Sequence, residues 1–212
     1  MAKKKQSGST RKGSKPVFGL VGGVAAGKST VARAFEKRGA VVIDSDATGH
    51  EVLRDPQVKA ELVQAFGPQV IGPDGEVDRG KVGQAVFGDA AKLQVLNGIT
   101  HPRIRDRSEA LRLAAMADPK VTAVVLDVSL LLEVKFYDDK YDVLVYIDTP
   151  WAVREQRSRM QRGWPQGEVA RRQAHQVPLE EKRRLADEVI DNNGSEAHTD
   201  AQVETIWRKY VK

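Results

Sequence analysis

The chain has 212 residues, enough for one domain with insertions and a sizeable core. It contains no cysteine, which excludes disulfides, cysteine nucleophiles and Cys-ligated zinc, and no apolar run approaches the roughly 20 residues that span a bilayer. The formal net charge of +5 comes from the first fifteen residues, which hold six basic side chains (Lys3, Lys4, Lys5, Arg11, Lys12, Lys15) and no acidic one. Taking those six from the 34 basic residues leaves 28 against 29 acidic ones, so the rest of the chain is close to neutral. A Lys/Ser/Gly tract without apolar side chains cannot offset its ordering entropy, so residues 1–15 are expected to form a disordered basic tail. Nucleic acid and membrane are accordingly not expected as partners, and a monomer is favoured. The N-terminus lacks the apolar stretch of a secretory signal, which with the absence of cysteine favours a cytoplasmic location.

In chain order, Val17–Val21 reads as a first strand. Gly22-Gly23-Val24-Ala25-Ala26-Gly27-Lys28-Ser29-Thr30 follows it and matches G-x-x-x-x-G-K-[ST]. The glycines allow a tight loop whose N–H groups converge on phosphate oxygens. Lys28 suits the β- and γ-phosphates, and the Ser29 hydroxyl suits Mg²⁺. Residues 29–37 read as a helix stopped at Gly39, so a bound phosphate would sit at a helix N-terminus, where unpaired N–H groups and the dipole favour anions. Further strands are expected at Ala40–Ile43, Val121–Leu126, Val143–Ile147 and, more briefly, Val189-Ile190. These runs are continuously apolar rather than alternating, which indicates strands buried on both faces. Strands alternating with helices predict an α/β fold: a doubly wound parallel sheet of about five strands, of the P-loop NTPase type.

Two segments depart from that alternation. Residues 54–117 are helical and charged, without a convincing strand, and are broken at Gly67-Pro68, at Gly72-Pro73-Asp74-Gly75 and at His101-Pro102; they read as a substrate-binding insertion. Residues 154–184 are strongly basic and interrupted at Gly163-Trp164-Pro165 and Val177-Pro178. They read either as a solvated helix pair or as a lid whose arginines close over phosphates. The nucleotide-binding core then comprises 16–53, 118–153 and 185–212, ending in an amphipathic helix over Asp200–Lys209.

Several polar residues fall at the carboxyl ends of the expected strands, where open α/β sheets bind ligands. Asp44 and Asp46 follow the second strand. One could take a proton from an acceptor hydroxyl while the other assists Mg²⁺, or Asp46 could merely cap the next helix. Asp127 ends the third strand in a loose Walker-B pattern and would help hold Mg²⁺ opposite Ser29. His50 and His101 stand near these acids without metal-ligand company. Asp191–Ser195 is a turn by default, or could approach a purine ring.

Taken together, these motifs resemble the dephospho-CoA kinase family from Val17 to Tyr210. The resemblance is carried by G-L-V-G-G-V-A-A-G-K-S-T, by I-D-S-D-A-T-G-H-E-V-L, and by H-P-R-I-R at His101–Arg105. L-D-V-S-L-L-L-E at Leu126–Glu133, R-M-Q-R at Arg159–Arg162 and the closing A-D-E-V-I-D-N-N-G-S at 186–195 complete it. It implies ATP-dependent phosphorylation of the ribose 3′-hydroxyl of dephospho-CoA, the last step of coenzyme A synthesis. On that resemblance Asp46 is the base that activates the hydroxyl. Lys28 and the loop residues Gly22–Thr30 hold ATP, Ser29 and Asp127 serve Mg²⁺, and Arg162 belongs to the lid. Asn192 approaches the adenine, and Asp44, His101 and Arg105 serve the substrate. The chain departs from the family pattern in three places. Ala25 and Ala26 replace the loop's interior glycine and serine, Ser129 replaces a proline, and Gly163-Trp164 stands where an acidic residue usually follows Arg162. The lid helix is also one residue shorter. Two other readings remain: a kinase for another small hydroxyl or nucleotide, and a P-loop NTPase switch whose basic tail contacts nucleic acid. A GTPase would need an N-K-x-D motif, which is missing, and the D-x-x-G string at Asp46–Gly49 lies too close to the loop to be a second switch.

Overall fold

The computed structural model describes residues 14–212. Five strands form one sheet in the order β2-β3-β1-β4-β5: β1 (Val17–Gly22), β2 (Ala40–Asp44), β3 (Ala123–Asp127), β4 (Val143–Asp148) and β5 (Glu188–Asp191). The β1–β3, β1–β4 and β4–β5 pairs are all parallel. Every residue of β1 is buried, which explains its unbroken apolar reading. Phe18 and Leu20 face a cluster supplied by α1 (Lys28–Glu36) and by α9 (Glu196–Tyr210), including Val31, Phe35, Val203 and Ile206. The Phe18 and Phe35 rings lie 4.7 Å apart, and full burial of each contributes about 1.5–3 kcal/mol. Alternation along the strand turns Gly19 to the opposite face, where an added Cβ would stand 2.7 Å from Leu131 Cδ2 and 3.2 Å from Tyr141 Cγ. A side chain there would collide with Leu131, so this strand position needs its glycine.

The chain divides into two compact units, residues 44–113 and the remainder. The larger unit holds the sheet, α1, α6 (Trp151–Arg162), α7 (Glu168–Gln173), α8 (Leu179–Leu185) and α9. The basic segment is therefore three short helices rather than one helix pair. Its breaks are physical: Gly163 takes φ 64° and ends α6, and Pro178 precedes α8. Most of the predicted basic tail lies outside the described residues, but Lys15 belongs to the fold. Its ammonium donates to the carbonyls of Ala115, Met116 and Asp118 at the end of α5 (Ala90–Ala117), where a cation complements the helix dipole.

The smaller unit consists of α2 (Ser45–Val52), α3 (Pro56–Phe66), α4 (Arg79–Val86) and most of α5. Its core is Val52, Val58, Leu62, Phe66, Val70 and Val82, with Leu96, Ile99 and Ile104 of α5 packed against it. Gly72–Gly75 forms a small turn closed by a single antiparallel bridge between Ile71 and Val77. The expected break at His101-Pro102 is not there: α5 runs through Pro102 without interruption. Proline removes one helical hydrogen bond. The flanking turns compensate through Thr100 Oγ1 to Leu96 O at 2.9 Å, Arg103 Nη1 to Ile99 O at 2.8 Å, and the packing of Leu96, Ile99 and Ile104.

Candidate functional site

The loop after β1 turns tightly through a hydrogen bond from Ala26 N–H to Gly23 O, 3.1 Å long. Gly27, at φ 87°, then leads into α1 with no side chain capping the helix. The first N–H groups of α1 are thus left for an external anion, beside Lys28. The Ser29 side chain is exposed at this terminus, and its hydroxyl makes no hydrogen bond among the described residues. Ala25 adopts φ 62°, the left-handed conformation that glycine would take without strain and the one positive φ outside glycine among the described residues.

The outward-facing backbone of the loop is held by side chains from far along the sequence. Ala26 O accepts from Asn192 Nδ2 at 2.8 Å, from Thr149 Oγ1 at 2.9 Å and from Arg157 Nη1 at 3.4 Å. Val24 O receives Arg154 Nη1 at 3.4 Å, and Val24 N–H donates to Gln173 Oε1 at 3.0 Å. With these carbonyls fixed outward, the remaining amides can turn inward, which is how a phosphate cradle is preorganised. Gly23 and Gly27 are required by the same contacts: a Cβ on Gly23 would stand 2.7 Å from Arg154 Cζ, and one on Gly27 would meet the Asn192 amide.

Arg154 is only 3% exposed. Its Nε donates to Thr149 O at 3.1 Å and its guanidinium stacks on Trp151 at 5.0 Å. Burial lowers its pKa, and no carboxylate pairs with it among the described residues. Arg157 Nη2 donates to Asn192 O at 2.9 Å and likewise has no carboxylate partner there. Two guanidinium groups with no carboxylate in ion-pair contact among the described residues, beside a loop of converging amides, favour an anion there. Sequence reasoning centred on Arg162 and missed Arg154, Thr149 and Gln173. The available signal was the i, i+3 spacing of Arg154 and Arg157, which puts both on one face of α6. Arg162 itself is exposed and stacks on Trp164 at 4.8 Å, with Arg172 on the same ring at 4.2 Å.

Asn192, expected near the adenine, is 3% exposed and acts as a strut. Its Nδ2 binds Ala26 O, its Oδ1 accepts from Thr199 Oγ1 at 2.8 Å, and its N–H donates to Asp148 O at 2.9 Å. The Asp191–Ser195 turn is confirmed by Asn193 N–H bonding Asp191 Oδ1 at 2.9 Å. Asp127 is the last residue of β3 and is half-buried.

In the smaller unit, the capping role considered for Asp46 belongs to Asp44. Its carboxylate accepts the N–H groups of Asp46 at 2.8 Å and Ala47 at 3.0 Å, because β2 runs into α2 directly and Asp44 occupies the extended N-cap position. Asp46 lies in the first turn, exposed, and its carboxylate has no hydrogen-bond partner among the described residues. His101 and Arg105 stand one turn apart on α5. Partial burial and then the charge of Arg105 hold the His101 imidazole below its ordinary value of 6.5, so it is neutral at pH 7. His50 meets Arg79. No cluster of three or more metal-capable side chains exists among the described residues, and no described helix is long and apolar enough to cross a membrane.

Known proteins give the same answer over nearly the whole chain. A family model described as dephospho-CoA kinase matches residues 16–198. The dephospho-CoA kinase of Thermobifida fusca (strain YX) is 42% identical over 193 residues, covering 90% of this chain and 94% of that protein. That of Geobacter sulfurreducens is 40% identical over 195 residues, covering 91% and 98%. Among solved structures, TT1252 from Thermus thermophilus superposes with a TM-score of 0.77 at 28% identity, covering 94% of this chain and all of that one (100%). The dephospho-CoA kinase from Campylobacter jejuni, at 22% identity and TM-score 0.65 over 93% and 98% of the two chains, shares the fold. With a phosphate loop braced by Arg154 and Arg157 and a family match from residue 16 to 198, this chain belongs to the dephospho-CoA kinase family.

Proposed function

We propose that this protein transfers the γ-phosphoryl group of ATP to the ribose 3′-hydroxyl of dephospho-CoA, with the residue roles that follow. The observation that carries the phosphoryl chemistry is the uncapped N-terminus of α1 beside Lys28, with Arg154 and Arg157 on the loop and no carboxylate on either among the described residues. Family membership identifies the acceptor.

Asp46 is the base. An exposed carboxylate with no hydrogen-bond partner among the described residues is free to accept the proton of the 3′-hydroxyl. The deprotonating oxygen attacks the γ-phosphorus in line, the bond to the bridging oxygen breaks, and ADP leaves. Asp44 caps α2 and so fixes the backbone that carries Asp46. Lys28, the loop amides, Arg154, Arg157 and the lid residue Arg162 spread the charge of the transferring group. Asn192 supports the loop and thereby the nucleotide. His101 and Arg105, on the unit formed by residues 44–113, serve dephospho-CoA: the cation pairs with a phosphate and the neutral imidazole hydrogen-bonds beside it.

Mg²⁺ fits the donors present. It prefers a few hard oxygen ligands and retains waters and substrate phosphates instead of needing an all-protein cage. A free Ser29 hydroxyl and the Asp127 carboxylate are such ligands, and they would hold the ion. When bound, it neutralises charge on the β- and γ-phosphate oxygens.

The reading is tested by following ADP release with dephospho-CoA, adenosine and AMP as acceptors. Strong turnover with dephospho-CoA is expected, and turnover with AMP alone would refute the assignment.

A further inference from the structure

Lys182, on α8, is 2% exposed, a rare environment for an ammonium group. Its Nζ donates to Gln176 Oε1 at 2.9 Å and lies 3.2 Å from Glu133 Oε1, which also accepts the Val177 N–H at 2.8 Å. Two bonding capacities are left over. The ammonium's third N–H has no partner among the described residues, and Glu133 Oε2 is buried without one. The group is also tied to the phosphate loop. Gln173 Nε2 reaches Gln176 Oε1 at 3.5 Å while Gln173 Oε1 holds the Val24 N–H, and α8 lies against β1, the strand that runs into the loop.

Electrostatics point the same way. Burial lowers the pKa of Lys182, Glu133 raises it, and the charge of Lys28 lowers it further. A desolvated ammonium that feels the charge of Lys28, paired with a carboxylate of which one oxygen is unpartnered, is an arrangement that a multiply charged anion completes.

We propose that Lys182 is a second ammonium of the triphosphate subsite, joining Lys28 on the terminal phosphate of ATP, with Glu133 as its resting partner. This rests on the ATP-binding reading above. Lys182 gives the terminal phosphate a contact that AMP cannot make, so the pair acts in discriminating triphosphate from monophosphate.

Calorimetric titration of the full chain with ATP and AMP tests it. Lys182→Met is expected to weaken ATP binding by about tenfold or more and to leave AMP binding unchanged. Glu133→Gln removes a competing negative charge but keeps the oxygen that accepts the Val177 N–H, so ATP binding should tighten. A purely structural ion pair would instead weaken ATP in both variants, or in neither, and either result overturns the proposal. Should Lys182→Met fail to fold, Glu133→Gln decides alone: tighter ATP binding supports the role, while unchanged or weaker binding refutes it. Turnover of dephospho-CoA by the unaltered protein is measured alongside. Its absence would refute the kinase reading and leave the ATP–AMP comparison to judge Lys182.

Discussion

The two alanines inside the phosphate loop are adjacent, yet replacing each by glycine should move stability in opposite directions. Ala25 sits at φ 62°, where a Cβ costs roughly 1–2 kcal/mol. Glycine removes that strain but adds about 0.4–1 kcal/mol of chain entropy to the unfolded state. The balance for Ala25→Gly is therefore a stabilisation of about 0.5–1 kcal/mol. Ala26 is not among the positive-φ residues and is 1% exposed. Ala26→Gly relieves nothing, loses a buried methyl of about 0.8 kcal/mol and adds the same entropy, for a destabilisation of about 1–2 kcal/mol. For a chain of this length each kilocalorie shifts the melting temperature by about 2–4 °C. Thermal unfolding should then show Ala25→Gly melting about 1–4 °C higher and Ala26→Gly about 2–8 °C lower. If Ala25→Gly melts lower by as much as its neighbour, Ala25 is not strained and the reasoning fails. The strain persists because Val24 and Ala26, on either side, are gripped by Gln173, Arg154, Arg157, Thr149 and Asn192.

Asp46→Asn should lower kcat by about 10²–10⁴-fold with ATP affinity nearly intact, whereas Lys28→Ala should damage ATP binding and turnover together; matching kinetics in the two variants would contradict their separate roles. Gly23→Ala forces a methyl against the buried Arg154 guanidinium, so a loss of about 1–3 kcal/mol and weaker ATP binding are expected by denaturation and calorimetry. His101 binds protons less readily folded than unfolded, so the unfolded state holds more protons near pH 6.5 and stability should fall as pH drops through that value. An NMR titration should place the His101 midpoint below 6.5, and His101→Gln should flatten this part of the stability profile; a midpoint at or above the ordinary value would contradict the burial argument.

β1, β3 and β4 were legible because each is a nearly unbroken apolar run buried on both faces, whereas the edge strand β5 offered only Val189 and Ile190 between two acids. Pro102 misled because a local rule about proline was outweighed by the packing of Leu96, Ile99 and Ile104. The alternatives at Asp44 and Asp46 were undecidable from spacing: two aspartates at i and i+2 serve equally well as cap or base until the backbone shows which one occupies the extended N-cap position. Arg162 stood out through its motif, whereas Arg154 and Arg157 offered only their i, i+3 spacing, and the carbonyls they meet are what tie them to the loop.

By itself, the sequence determined the strand, loop and helix around the phosphate loop, since G-x-x-x-x-G-K-[ST] between strand and helix is a local pattern that leaves backbone amides at a helix N-terminus. What holds that loop in shape was decided by the tertiary structure. Thr149, Arg157 and Asn192 converge on one carbonyl, Ala26 O, from more than a hundred residues away. A strained Ala25 is stable because of that convergence. No window of sequence contains it, because the contacts exist only after β4, α6 and the end of β5 have been brought to the loop.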